Sequence, residues 1–305
     1  MKPSYYGSMV MGLLMCYTLQ SQYYFSKNYG QEPELLWEAG VSAGAMNCLT
    51  DIGGKNGTGK KFIKDINLNQ TQLCGSLFVS AAWHNLFAIR LEAAMGDISG
   101  NDNVLKNTTG IARSRYFRNL QFRTIIKELT VLGELYPLVL TDKNSEATLL
   151  SPYIIAGAGF FNYNPQAWVN NTWVDLRPLH TEGEGFKEYP DRKEYKSISW
   201  CLPVGAGIKY DAAGLIILRF EILYRFTGTD YLDDVSKTYA DPSLFGSYLS
   251  ATQARLATQL ADRSAEITAV SKNNTNAIRG NSKNKDAYFS CSFKISIALG
   301  RAQGK

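Results

Sequence analysis

The chain has 305 residues, of which 45% are apolar, 19% charged and 12% aromatic, with 26 Gly against 9 Pro. So large an apolar share excludes a disordered chain, and aromatic and glycine richness with few charges leans towards β structure. A formal net charge of +5 is too small and dispersed for nucleic-acid binding, and two His and five scattered Cys argue against zinc chemistry.

Lys2, the apolar run Met9-Val10-Met11-Gly12-Leu13-Leu14-Met15 and the small residue Ser21 read as a secretory signal peptide over 1–21. The competing reading is a buried N-terminal helix, since the run is too short to span a bilayer. Cys16 raises lipidation, against which the preceding Met15 is bulky. The expected division is then an N-terminal periplasmic segment at 22–36, a barrel at 37–300 and a C-terminal tail at 301–305. No later run of about 18 apolar residues appears, so no transmembrane helix is expected.

A strand with lipid on one face carries apolar residues at every second position over about ten residues. Eight segments do so. The first sets Trp37, Ala39, Val41, Ala43 and Ala45 opposite Glu38, Ser42 and Gly44. The second sets Leu73, Gly75, Leu77, Val79, Ala81 and Trp83 against Cys74, Ser76 and Ser80. After a tight turn at His84-Asn85, the third has Phe87, Ile89, Leu91, Ala93 and Met95 against Arg90 and Glu92. Ile125, Leu129, Val131, Gly133 and Leu135 form the fourth, against Glu128, Thr130 and Glu134. In the fifth, Tyr153, Ile155, Gly157, Gly159 and Phe161 are taken as the lipid face. The sixth has Trp200, Leu202, Val204, Ala206, Ile208 and Tyr210 opposite Ser199, Gly205 and Lys209, and a short turn at 211–214 follows. Ile216, Leu218, Phe220, Ile222, Tyr224 and Phe226 of the seventh alternate with Arg219, Glu221 and Arg225. The eighth sets Phe289, Cys291, Phe293, Ile295, Ile297 and Leu299 against Ser290, Ser292, Lys294 and Ser296.

This pattern predicts an all-β fold: a single transmembrane outer-membrane β-barrel of about eight antiparallel strands, with short periplasmic turns and four long extracellular loops. The loops fall at 49–71, 97–121, 162–197 and 227–286. Two aromatic girdles are expected, Trp37, Trp83, Phe87, Tyr153 and Tyr210 at the inner ends and Phe161, Trp200, Tyr224, Phe226 and Phe289 at the outer ends. The inner connection 137–150 is longer than the pattern requires and is expected to extend into the periplasm. Lys127 falls on the lipid face of the fourth strand, which calls for a bulge or a side chain that reaches the headgroups. The segment 124–136 also fits a helical period.

A barrel of about eight strands is filled by its own side chains. The inward charges are Glu38, Glu92, Glu128, Glu134 and Glu221 against Arg90, Lys209, Arg219, Arg225 and Lys294. Such a balanced set reads as an ion-paired filling, where a pore selective for one sign of ion has a one-sign lining.

Several motifs invite chemistry. Gly54-Lys55-Asn56-Gly57-Thr58-Gly59-Lys60-Lys61 approaches a phosphate-binding loop, but Lys61 replaces the required hydroxyl and no strand-to-helix context surrounds it, so a solvated loop is expected. His180, near Glu182 and Glu184, has the makings of a base with acidic partners, although no nucleophile can be assigned. Asp230, Asp233 and Asp234 supply oxygen ligands for calcium without EF-hand spacing, so loop solvation or pairing with Arg225 is the reading preferred. Cys48 and Cys74 share the inward face near the outer ends of neighbouring strands, where either a disulfide or two buried thiols fit, whereas Cys201 is inward and Cys291 lipid-facing. No catalytic, cofactor-binding or metal-binding residue is assigned, and neither nucleic acid nor a small-molecule substrate is expected.

Gly44-Ala45-Met46-Asn47-Cys48-Leu49-Thr50-Asp51, Arg118-Asn119-Leu120-Gln121-Phe122-Arg123, Ser151-Pro152-Tyr153, Leu176 to Gly185, Leu202 to Tyr210 and Thr229-Asp230-Tyr231-Leu232-Asp233-Asp234-Val235-Ser236 resemble the PorG family of the type IX secretion system of Bacteroidetes. Asp262-Arg263-Ser264 and Arg279-Gly280 add to the likeness. The chain departs from that pattern in its last residues, Arg301 to Lys305, and in the Lys-rich stretch Lys55 to Lys64. The resemblance implies a barrel in the cell outer membrane, in contact with outer-membrane lipid and associated with the periplasmic ring proteins PorK and PorN. It further implies support of protein export and, in gliding relatives, of motility, with no active site. Two other functions compete on the residues alone: an outer-membrane hydrolase using His180, and an adhesion or membrane-stability barrel presenting 162–197 or 227–286.

Overall fold

The computed structural model describes residues 34–54, 67–138, 150–212, 215–271 and 275–299. The expected signal peptide with Cys16, residues 22–33, the stretch 55–66 that holds most of the phosphate-loop-like motif, residues 139–149, 213–214 and the tail lie outside the described residues. Among those described, no helix is long and apolar enough to cross a membrane.

Strict alternation leaves each long segment one way to satisfy its backbone, pairing with neighbours on both sides, and the chain closes on itself. The strands are β1 (Leu35–Leu49), β2 (Gln72–Trp83), β3 (Phe87–Asn101), β4 (Gln121–Leu135), β5 (Leu150–Asn162), β6 (Pro165–Val169), β7 (Thr172–Asp175), β8 (Ile198–Asp211), β9 (Ile216–Thr227) and β10 (Ala287–Leu299). Eight of them form a closed antiparallel ring, β1-β2-β3-β4-β5-β8-β9-β10, with β10 back on β1. Closure removes the sheet edges that a bilayer cannot solvate. The outward face is an apolar belt that includes Trp37, Leu77, Leu91, Val131, Phe160, Ile222 and Phe293. At the inner end, His84 and Asn85 both take positive φ, 49° and 51°, and Leu86 N donates to Trp83 O at 2.9 Å, the type I′ geometry that matches strand twist. The four long connections all lie at the other, outer end.

The helical alternative for 124–136 is excluded. β4 pairs with β3 without interruption from Leu135↔Phe87 to Gln121↔Asn101. Lys127 therefore faces outward in regular register, and no bulge removes it. It pairs with Asn162, the last residue of β5, two positions beyond the exposed Phe160. Eight residues above Leu135, at about 3.4 Å per residue and a tilt of about 40°, Lys127 stands about 20 Å above the inner end. That is close to the upper edge of an apolar band about 25 Å tall, so the ammonium has only a short reach to the headgroups.

The fifth strand corrects the sequence reading. Its lipid face is Leu150, Ile154, Ala156, Ala158 and Phe160, whereas Tyr153, Ile155 and Phe161 are buried in the lumen. The reason is chemical and steric. Tyr153 OH donates to Glu221 Oε1 at 2.6 Å, which requires an inward ring. The glycines at 157 and 159 share this face because a Cβ at either would lie within 3 Å of the Leu132 or Thr130 side chain. Tyr153 and Phe161 accordingly leave the two girdles and Phe160 takes the outer place, next to its cross-strand partner Trp200.

The lumen is filled by its own side chains. In its inner half an apolar cluster that includes Leu36, Leu132, Tyr136, Tyr153, Ile217 and Leu223 interleaves with the charges, Leu132 standing opposite Arg90 and Leu223 two positions beyond Glu221. All ten expected charges are buried, each in an ion pair. Arg90 meets Glu92, Glu134 and Glu221 at 3.0, 2.7 and 2.6 Å. Lys294 meets Glu92 and Glu221 at 2.5 and 3.4 Å, and Glu38 takes Lys209 and Arg219 at 2.9 and 2.5 Å. Arg225 meets Glu128 at 3.1 Å, and Tyr288 OH also donates to that carboxylate. Phe78, which the alternation left unremarked, lies among Arg90, Arg219 and Lys294 at 5.5, 5.6 and 5.1 Å from its ring centroid. An outer apolar layer of Met46, Ile98, Phe122, Ile126, Phe161 and Tyr288 completes the filling. Cys48, Cys74, Cys201 and Cys291 are free, so no Cys48–Cys74 disulfide forms.

Candidate functional site

The described parts of the outer connections fold over the barrel mouth as a cap. The 163–197 connection, read from sequence as loop, contains the hairpin β6–β7, which extends the wall by pairing β6 with β4 at Arg123↔Gln166 and Thr124↔Pro165. Among the described residues four helices also belong to the cap: α1 (Ile111–Arg118), α2 (Phe245–Tyr248), α3 (Ala251–Ala261) and α4 (Ala265–Thr268). Ser250 and Gln253 form a capping box that starts α3, each side chain bonding the other's backbone amide. The cap has its own apolar core, where Leu176, Leu179, Phe186, Phe245, Ala257 and Leu260 pack.

The Thr229–Ser236 stretch dips into the mouth. Leu232 and Val235 are fully buried in the outer apolar layer of the lumen. Thr124 Oγ1 on the barrel wall donates to Leu232 O at 2.6 Å, and Asp286 Oδ2 receives Leu232 N at 2.9 Å. The three candidate calcium ligands are each spent on holding this descent. Asp230 accepts from Ser236 Oγ at 2.7 Å, and Asp233 accepts from Ile52 N and Val235 N at 2.9 and 3.0 Å. Asp234 accepts from Thr181 Oγ1 and Tyr195 OH, both at 2.5 Å. Arg225 pairs with Glu128 inside the barrel rather than with these aspartates. Among the described residues no group of His, Cys, Asp and Glu is placed to hold a metal ion.

Around the descent, two buried charge clamps tie distant loops. In the first, Arg118 donates to both oxygens of Asp102, to Asp51 O at 2.8 Å and to Arg279 O at 2.6 Å. Asp102 also accepts from Gly53 N and Leu120 N, at 3.1 Å each. In the second, Glu182 receives Ser236 N at 3.0 Å, Lys237 N at 2.9 Å and Arg279 Nη1 at 3.2 Å. Arg279 in turn reaches Asp234 O at 2.7 Å and Ala261 O, the end of α3, at 3.1 Å. Burial lowers the affinity of Arg118 and Arg279 for their protons, but the neighbouring carboxylates outweigh it and hold both cations charged.

The Leu176–Gly185 stretch turns tightly to present these groups. Gly183 sits at φ 75°, and a Cβ there would lie 2.6 Å from the Tyr189 ring, so only glycine fits. His180 is half-buried at φ 48° beside Phe186. Glu182 does not face it as a catalytic partner, being committed to Ser236, Lys237 and Arg279. Glu184 is buried, and its Oε2 accepts from Glu182 N at 3.2 Å. Desolvation, together with the Asp234 and Glu182 charges, pushes its carboxyl well above the usual carboxylate range. Glu184, His180, Arg177, Pro178, Glu194 and Tyr195 line a cavity of ≈ 210 Å³.

The sequence singled out Glu182, Asp233 and Asp234 without assigning any of them a site role, and it passed over Asp102 and Arg192. Arg192 donates to Glu182 O at 2.5 Å and Thr238 O at 2.9 Å. The only signal available for such residues is a charge in a loop, which carries no period.

No protein-family model matches the chain, and no curated protein matches it in sequence. Several solved structures resemble it. Ail, the attachment invasion locus protein of Yersinia pestis, solved with the heparin analogue sucrose octasulfate, is 8% identical over 86% of this chain and 99% of its own, with a TM-score of 0.36. The N-terminal β-barrel domain of Pseudomonas aeruginosa OprF is 7% identical over 88% of this chain and 100% of its own, with a TM-score of 0.32. The outer membrane protein OprG from Pseudomonas aeruginosa is 8% identical over 87% of this chain and 95% of its own, with a TM-score of 0.34.

Proposed function

We propose that the protein is a non-catalytic component of the type IX secretion system, a sealed barrel in the cell outer membrane that associates with the periplasmic ring of PorK and PorN and supports protein export. One observation carries this reading. The stretches on which the resemblance to the PorG family rests are scattered over more than two hundred residues, yet several of them converge in the cap. Asp51, Arg118, Glu182, Asp234 and Arg279 join five of them through direct hydrogen bonds. A likeness confined to chance loop composition has no reason to select residues that bond one another.

Two further features favour an anchoring role over a conduit or an enzyme. The lumen is filled by ion-paired charges interleaved with apolar side chains and, towards the outer end, by an apolar layer, and Glu182 is committed to backbone amides and Arg279, away from His180. With the cap outermost, contact with a periplasmic ring falls to the inner end, which among the described residues presents Glu34, the turn 84–86 and Tyr136 to Leu138. Detergent pull-down of the full chain tests the reading: the ring proteins are expected to co-purify, and a deletion strain is expected to lose secreted cargo. Normal export with correctly assembled rings in that strain would refute it.

A further inference from the structure

The cavity in the cap is built differently from the rest of the molecule. Nearly every other carboxylate of the cap core is saturated by amides, hydroxyls or guanidinium groups, but Glu184, 2% exposed, has an Oε1 with no hydrogen-bond partner. A buried polar atom left unmatched costs about 1–3 kcal/mol, so an empty position beside it marks a place where a donor fits. Glu184 lines the cavity of ≈ 210 Å³, and the exposed Arg177, Pro178 and Glu194 form its rim. Gly185 lets the Glu194 carboxylate fold back towards the same place, since a Cβ at 185 would stand 3.0 Å from Glu194 Oε1. One side of the cavity therefore offers two carboxyl groups, while Arg177 and His180 are the nitrogen-bearing groups of its lining. At about 30 Å³ per water the space equals about seven waters, enough for one amino-acid residue and its neighbouring peptide group.

We infer that this cavity binds a primary ammonium group next to a carbonyl or carboxylate, the chemistry shared by a free amino acid and the amino terminus of a peptide. The ammonium donates to Glu184 and Glu194, and the adjoining oxygen faces Arg177. Tyr195 is a fixed wall, because its ring stacks between Tyr163 and Tyr231 and its hydroxyl is bound to Asp234. Asp234, Glu182 and Arg279 face Glu184 from within the cap, and Arg177 and Glu194 share the cavity lining with it; burial and the Asp234 and Glu182 charges raise its carboxyl well above the usual carboxylate range. To the extent that Glu184 carries a proton before binding, the arriving ammonium exchanges it for an ion pair and the proton leaves to solvent.

Calorimetry on the full chain in detergent micelles tests the site, with glycine amide as the probe. Binding is expected in the millimolar range or tighter, with heat that depends on the buffer's ionisation enthalpy, and N-acetylglycine amide is expected not to bind. Glycine against triglycine amide separates the two sources: tighter triglycine amide assigns a peptide terminus, and tighter glycine a free amino acid. Glu184→Gln, a neutral isostere of the protonated acid, is expected to weaken binding at least tenfold while leaving heat-modifiable migration of the barrel unchanged. Should that variant not fold, Glu194→Gln on the exposed rim is expected to weaken binding several-fold. Equal binding of the acetylated probe, unchanged affinity in the folded variant, or no heat into the millimolar range would overturn the inference.

Discussion

Arg118 and Asp102 face each other fork to fork, Nε to Oδ2 at 2.8 Å and Nη2 to Oδ1 at 3.0 Å, between the end of α1 and the loop that leaves β3. Asp102 is fully buried and also accepts two backbone amides, so it is the point at which three loops meet. Removing one partner of such a pair leaves the other charge buried and uncompensated, at a cost of about 3–5 kcal/mol. Asp102→Ala is therefore expected to open the cap without unfolding the barrel, whose strands owe nothing to this pair. Trypsin should then cut the outer connections of the variant rapidly, while unheated gel mobility stays that of a folded barrel.

How far the sequence carries depends on contrast between faces. Where one face is charged, as with Arg219, Glu221 and Arg225 on β9, alternation assigns the inside without error. On β5 both faces are apolar or small, and Tyr153 was set in lipid because nothing local reveals that its hydroxyl meets Glu221. The cap was out of reach for a related reason: its bonds join residues such as Asp51 and Asn281, which no local period connects. Its one local signature, Ser250 three positions before Gln253, marks the start of α3.

The corrected face of β5 is directly testable. In a cysteine-free background, Ile154→Cys is expected to react with a membrane-partitioning maleimide in vesicles, and Ile155→Cys to stay unlabelled. The opposite result would restore the original assignment.

Arg90 is the hub of the ion pairs in the lumen, with three carboxylates around it. Replacing it with methionine strands those charges in a low-dielectric interior, and the expected loss is at least about 3–5 kcal/mol by urea unfolding from vesicles. Glu134→Gln removes only one of the three and is expected to cost less. Neither the native chain nor Glu134→Gln should give a steady open channel in planar bilayers, because the remaining ion pairs, the apolar side chains between them and the outer apolar layer stay in place.

Lys127 offers a measure of where the bilayer sits. Near the outer edge of the belt its charge costs little, so Lys127→Leu is expected to change stability by less than about 1 kcal/mol. Val131, on the same face one turn of the pleat inward and then one more, is half-exposed in mid-belt. Val131→Lys should lose about 2–4 kcal/mol in the same assay. Equal effects at the two positions would contradict the depth assigned to either.

Asp234 sets the response of the cap to pH. Burial drives its carboxyl up to about 6 from 3.8, against Arg279 and the Thr181 and Tyr195 hydrogen bonds, which pull it down. A group whose folded pKa lies above its unfolded value stabilises the fold below the unfolded pKa and loses that contribution as pH rises through the folded one. Glu184, raised by the same burial, acts in the same direction. Amide exchange at 229–236, corrected for its intrinsic rate, should therefore show protection that falls from about pH 4 to about pH 7. Asp234→Asn should flatten part of that slope. An ion-paired carboxylate with a lowered pKa gives the reverse trend, so protection that rises over this window would mean that Arg279, and not burial, governs the site.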